Sequence, residues 1–214
     1  MLVRLVDVTA LQGSLLDLAD EVVVHPLLGV RRTHLDHGAW VDVMTGWVGG
    51  AHQLYAALRH DVPWRAERRQ MYDAVVDVPR LLCFYDEHDA LPHPALGTAR
   101  DALSAYYATE LGEPFTTAGL CLYRDGHDSV AWHGDRIGRS REQDTMVAIL
   151  SVGAPRDLVL RPRGGGSSIR VPAGHGDLLV MGGSCQRTWD HCVPKTTRPV
   201  GPRISVQFRV RGVR

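Results

Sequence analysis

Pro202-Arg203-Ile204-Ser205-Val206-Gln207-Phe208-Arg209-Val210 alternates between apolar and polar residues. A period of two marks a β-strand with one face on a core, because successive side chains leave opposite faces. Ile204, Val206, Phe208 and Val210 therefore share the core face, and Arg203, Ser205, Gln207 and Arg209 share the other. That second face carries two guanidinium groups where a half-buried strand ordinarily carries neutral polar residues. A buried arginine is costly unless an anion meets it. Arg203 and Arg209 are about 20 Å apart along an extended strand at ~3.3 Å per residue, so they approach a ligand from opposite ends.

Upstream lies Trp132-His133-Gly134-Asp135, and later Trp189-Asp190-His191. Residues i and i+2 of a strand share a face, so His133 and Asp135 reach one metal ion together. His191 from a neighbouring strand completes a two-histidine, one-carboxylate facial triad, the donor set of non-haem Fe(II) oxygenases. Among eleven histidines, chance H-x-D triplets are common, and His34-Leu35-Asp36-His37 is a competing one. Only the later triplet is followed by a histidine and then by a strand with paired arginines. His175 is a rival third ligand, but it precedes its strand in a glycine-rich turn and reads as a loop histidine. Gly164-Gly165-Gly166 has no following lysine or helix, so it reads as a hairpin tip and not as a phosphate loop.

The 214 residues suit one sizeable domain. A hydrophobic fraction of 44% and a mean hydropathy of −0.12 describe a globular chain with ample core. No apolar run reaches membrane-spanning length, and Arg4 and Asp7 interrupt the N-terminal apolar stretch, against a signal peptide. Cys83, Cys121, Cys185 and Cys192 lack C-x-x-C spacing, which points to a reduced, cytoplasmic setting. Net charge is +0, yet residues 1–135 hold 10 basic and 19 acidic side chains and residues 136–214 hold 14 and 5. Such asymmetry suggests one basic surface. No feature points to an obligate protein partner.

Helical spacing appears over Leu11–Val24, Gly46–Arg59 and Pro94–Leu111, and strand patterns over Trp40–Met44 and Pro79–Tyr85. From Phe115 onward short apolar runs recur at Thr117–Tyr123, Ser129–His133, Thr145–Val152, Asp157–Arg161, Ser168–Val171, Asp177–Met181, Thr188–Cys192 and Arg203–Val210. Eight short strands separated by Gly, Pro and Asp turns indicate a β-sandwich or barrel. The expected class is α+β: a jelly-roll (double-stranded β-helix) core over about residues 115–214, flanked by N-terminal helices within residues 1–114, all in a single domain.

With those residues in place, the chain resembles the AlkB family of Fe(II)- and 2-oxoglutarate-dependent dioxygenases from about Pro79 to Arg211. The resemblance rests on Leu122-Tyr123-Arg124-Asp125-Gly126 with His133-Gly134-Asp135, on His175 to Gly183, on Trp189 to Lys195, and on Arg203 to Arg209. It implies Fe(II) held by His133, Asp135 and His191, and 2-oxoglutarate held by Arg203, Tyr123 and Arg209, with Arg209 nearer the metal. Cys121 and Ser205 stand where the family has asparagines that help hold the cosubstrate. Arg136-Ile137 stands where members often carry acidic residues near the substrate base.

The resemblance further implies that dioxygen hydroxylates a C–H bond while 2-oxoglutarate is oxidised to succinate and carbon dioxide, and on an N-methyl group this releases formaldehyde. The substrate implied is an N-alkylated base in nucleic acid, DNA first. Trp64, Arg65, Tyr72, Arg80, Phe84 and Tyr85 fall where the family builds its substrate lid, with Arg136 among the substrate-binding residues, and Arg136, Arg139, Arg141, Arg161 and Arg163 are candidate phosphate contacts. Two alternatives stay open here: the same chemistry on RNA, a protein side chain or a small molecule, and a non-catalytic jelly-roll binding module.

Overall fold

The structure, a computed structural model, describes residues 21–71, 74–135, 137–140 and 142–213. Strands β1 (Val23–Val24), β2 (Arg31–His34), β3 (Ala39–Met44) and β4 (Val48–Gly49) precede helix α1 (Ala51–Asp61). The hairpin β5 (Arg65–Met71) and β6 (Ala74–Tyr85) leads to helices α2 (Pro94–Tyr106) and α3 (Ala108–Leu111). Then follow β7 (Phe115–Tyr123), β8 (Val130–His133), β9 (Val147–Gly153), β10 (Arg156–Pro162), β11 (Ile169–Ala173) and β12 (Asp177–Gly183). One-turn helix α4 (Cys185–Thr188), β13 (Trp189–Val193) and β14 (Arg203–Val210) complete the described chain.

Eight strands form a large sheet in the order β2-β3-β12-β9-β14-β7-β6-β5, and four form a small sheet in the order β11-β10-β13-β8. From β7 to β14 the chain visits large, small, large, small, small, large, small and large sheet, the winding of a jelly roll. Every pairing within the two sheets is antiparallel. Sheet alternation then sorts the side chains. Ile204, Val206, Phe208 and Val210 are fully buried, and the first three pack with Leu54 and Leu58 of α1 and Leu96 and Leu103 of α2. A second cluster fills the gap between the sheets, where Ile149, Leu158, Leu160, Leu179 and Val193 meet. Strand β14 thus separates a helix-side core from an inter-sheet space.

Several expectations are corrected. The helix expected from Gly46 starts at Ala51, because Gly50 holds a left-handed conformation (φ 62°) that breaks the helical run. The helix expected over Pro94–Leu111 breaks at Tyr107, which turns inward to donate from its hydroxyl to Asp42 at 2.8 Å and to stack on Trp40. Of the helix expected over Leu11–Val24, residues 11–20 lie outside the described residues, and Val23–Val24 is a strand paired with β4. The boundary near residue 115 is no boundary in packing, since β3 pairs with β12 and β6 pairs with β7.

Candidate active site

His133 ends β8 and His191 lies at its register partner on β13, so the antiparallel pair sets the two imidazoles side by side, ring centroids 4.2 Å apart. Asp135 follows two residues on. Its Oδ1 lies 3.9 Å from His133 Nε2 and its Oδ2 3.9 Å from His191 Nε2. Their candidate ligand atoms all fall within 4.8 Å of one another, and among the described residues no other such group forms. His133 Nδ1 donates to the Ala131 carbonyl oxygen at 2.9 Å, which leaves the Nε2 lone pair facing the group. Burial and the neighbouring His133 push His191 down to about 3, so it is a neutral donor at physiological pH. Burial opposes ionisation of Asp135, but Arg209 and the two imidazoles outweigh it and hold the carboxyl at about 2. Arg209 Nη2 donates to Asp135 Oδ2 at 3.2 Å, and the Asp135 amide donates to Gln186 Oε1 at 3.0 Å. Two imidazoles and an ionised carboxylate are a donor set that fits Fe(II).

A cavity of about 60 Å³ opens between the sheets from these three residues toward Tyr123 and Arg203. That is several times the ~10–15 Å³ one water needs. Arg203 is 2% exposed. Its Nε donates to Ser151 Oγ at 2.8 Å, while its buried Nη1 has no hydrogen-bond partner. Leaving a buried cationic donor unpaired costs about 1–3 kcal/mol or more, a cost that a bound carboxylate relieves. Burial and the adjacent Cys121 thiol push the Tyr123 phenol up to about 12, so it stays protonated and is a donor. The cavity therefore has a metal-type donor set at one end and an unsatisfied guanidinium at the other, which suits a 2-oxo dicarboxylate.

Pairing of β14 with β7 sets Arg203 opposite Tyr123 and Ser205 opposite Cys121, so these four converge on the cavity with Gln207 and Arg209. Arg80 is also in the cavity wall, with its Nη1 on the Ser129 carbonyl at 2.9 Å, rather than on a lid. Phe84 is 40% exposed, opposite Gly119. Trp64 and Tyr85 depart from expectation: both pack against the helix-side core. The reason is alternation, since Tyr85 shares its face of β6 with Leu81 and Cys83, and Phe84 takes the other. Arg136, Tyr72 and Arg141 lie outside the described residues. His175 accepts from the Gly153 amide at 2.7 Å and so organises a turn, and His34, Asp36 and His37 form no cluster.

The sequence reading passed over Ser151 and Gln186, and named Arg163 only as a phosphate contact. Ser151 had a signal, as the lone hydroxyl in the buried strand V-A-I-L-S-V-G. Gln186 had none, because only folding brings α4 against Asp135. Arg163 pairs with Asp190 at 2.9 Å and lies against Gly134, where any Cβ would collide with its Nη2 and stand 2.9 Å from the Gln186 carbonyl oxygen.

Comparison with known proteins agrees with this geometry. The solved structure of OsALKBH1 matches 85% of this chain and 100% of its own with a TM-score of 0.56, at 12% identity, a likeness of fold. The human protein named alpha-ketoglutarate-dependent dioxygenase alkB homolog 3 is 31% identical over 207 residues, covering 85% of this chain and 66% of its own length. The human DNA oxidative demethylase ALKBH2 is 32% identical over 124 residues, covering 54% and 46%. The chain thus spans about two thirds of the human alkB homolog 3 and less than half of the human ALKBH2. A family profile described as the 2OG-Fe(II) oxygenase superfamily matches residues 50–209, a span holding the triad, the cavity and both arginines of β14, and on that match the chain belongs to this superfamily, as an AlkB-like member.

Proposed function

We propose that this chain carries out Fe(II)- and 2-oxoglutarate-dependent oxidative dealkylation of N-alkylated bases in nucleic acid, DNA in the first instance. The observation that carries the reading is a single cavity with the His133, Asp135 and His191 donors at one end and the partnerless Arg203 Nη1 at the other. When bound, iron with 2-oxoglutarate would let dioxygen act as the oxidant, one oxygen atom hydroxylating the substrate C–H bond and the other ending in the succinate formed, with carbon dioxide, from 2-oxoglutarate.

The chain's own residues do the rest. His133 and His191 offer imidazole nitrogens, and Asp135 offers a charge that Arg209 keeps ionised and oriented. Arg203 takes the distal carboxylate, with Tyr123 donating beside it and Ser205 on the floor. Phe84 offers an exposed ring for a displaced base to stack on, an interaction worth about 1–3 kcal/mol per base. Relatives that bear the name DNA oxidative demethylase support a nucleic-acid substrate. Four free cysteines fit a reducing compartment, and we place the protein in the cytoplasm on that ground. The test is iron-dependent formation of succinate and formaldehyde, with an N-methylated single-stranded oligonucleotide against its unmethylated twin. Equal succinate from both, without formaldehyde, overturns the substrate; no succinate at all overturns the chemistry.

A further inference from the structure

Gln207 has no role in the site so far, and its placement assigns one. Along one face of β14 the side chains run Arg203, Ser205, Gln207, Arg209, and all four line the cavity. Arg209 is committed to Asp135 at the metal end, and Arg203 presents its unpaired Nη1 at the other. An acid that reaches from one end to the other crosses the floor made by Ser205 and Gln207. The Gln207 carboxamide lies flat on that floor: Nε2 donates to Ser205 Oγ at 2.6 Å, and Oε1 accepts from Cys121 Sγ at 3.6 Å. Gly119 makes the room, since a Cβ there would stand 3.3 Å from Gln207 Oε1 and 2.9 Å from Arg209 Nη1. A serine hydroxyl has one hydrogen. Because Ser205 Oγ accepts from Gln207, that hydrogen turns away from Gln207 and is left for a ligand.

We infer that Gln207 is a positioning residue for cosubstrate binding: it orients the Ser205 hydroxyl so that its proton faces a carboxylate of the bound 2-oxo dicarboxylate. This rests on the function proposed above. The test uses the full chain loaded with Mn(II), so that binding is read without turnover, and measures 2-oxoglutarate affinity by calorimetry. Replacing Gln207→Leu is expected to weaken binding about five- to tenfold, the size of one ordinary hydrogen bond. The same change in a Ser205→Ala background is expected to weaken it by less than about twofold, because coupled residues are non-additive. Under turnover the single variant raises the KM for 2-oxoglutarate and leaves kcat nearly unchanged. Should Gln207→Leu fail to fold, Gln207→Glu replaces it, since a carboxylate accepts from Ser205 and turns the hydroxyl away. Binding within about twofold of the unsubstituted chain, or an equal loss in both backgrounds, overturns the inference alone. No 2-oxoglutarate binding by the unsubstituted chain overturns the proposed function with it.

Discussion

Arg203 shows how one side chain trades stability for binding. Its buried guanidinium is only partly satisfied, so in the ligand-free protein it is a burden rather than a support. Arg203→Met is therefore expected to weaken 2-oxoglutarate binding by about 30- to 100-fold while the melting temperature of the ligand-free protein stays level or rises. Calorimetry and thermal melting check both halves, and a clear drop in melting temperature would mean the arginine is structural. His191 makes a second case. Burial lowers its folded value to about 3 against 6.5 for the free side chain, so between these values the unfolded chain holds the extra proton. Its contribution to stability is present above about pH 6.5 and is lost as pH falls toward 3. For the metal-free protein this amounts to about 2 kcal/mol between about pH 7 and pH 5. Urea midpoints at the two pH values measure the loss, and His191→Gln should flatten the difference.

At the scale of elements, β14 is the hinge between stability and function, because its two faces serve different purposes. Phe208 is fully buried on the helix side. Phe208→Ala is expected to cost about 3–5 kcal/mol in urea unfolding, while 2-oxoglutarate affinity of the folded protein changes little. Its neighbour Arg209 points the other way, onto Asp135. The β8 end makes a comparable demand on backbone space. Gly134→Ala puts a methyl group against the Arg163 guanidinium and the Gln186 carbonyl. It is expected to cost about 1–3 kcal/mol and to weaken iron binding, which a titration with Fe(II) under nitrogen would show. Full iron affinity in that variant would mean the Asp135 loop tolerates displacement.

Across the whole molecule, helices, large sheet and small sheet stack in layers, and the triad lines the cavity between the two sheets. The basic segment 136–214, with 14 basic and 5 acidic residues, contributes three of the four strands of the small sheet. If these meet a phosphate backbone, oligonucleotide affinity falls steeply with salt, about 0.7–0.9 log units per log unit of salt for each contacted phosphate. A slope equivalent to about three or more contacts is expected from fluorescence anisotropy across salt concentrations. A flat response would point to a small-molecule or protein substrate.

Alternation made β14 legible, and short apolar runs bounded by turn residues did the same for β7, β9 and β12, the last two buried on both faces. Order along the chain, H-x-D then His then paired arginines, nominated His133, Asp135, His191 and the two arginines, whereas Tyr123 came only from the resemblance to the AlkB family. Local pattern does not encode which strands become neighbours. Register across β7, β14 and β9 alone brings Ser151 to Arg203 and Gln207 between Cys121 and Ser205. It also sends Trp64 and Tyr85 to the far core, and packing of α4 alone delivers Gln186 to Asp135. Ligand identity was written in residue type and order, whereas the hydrogen bonds that aim each ligand come from contacts between segments distant in sequence, which only the folded chain brings together.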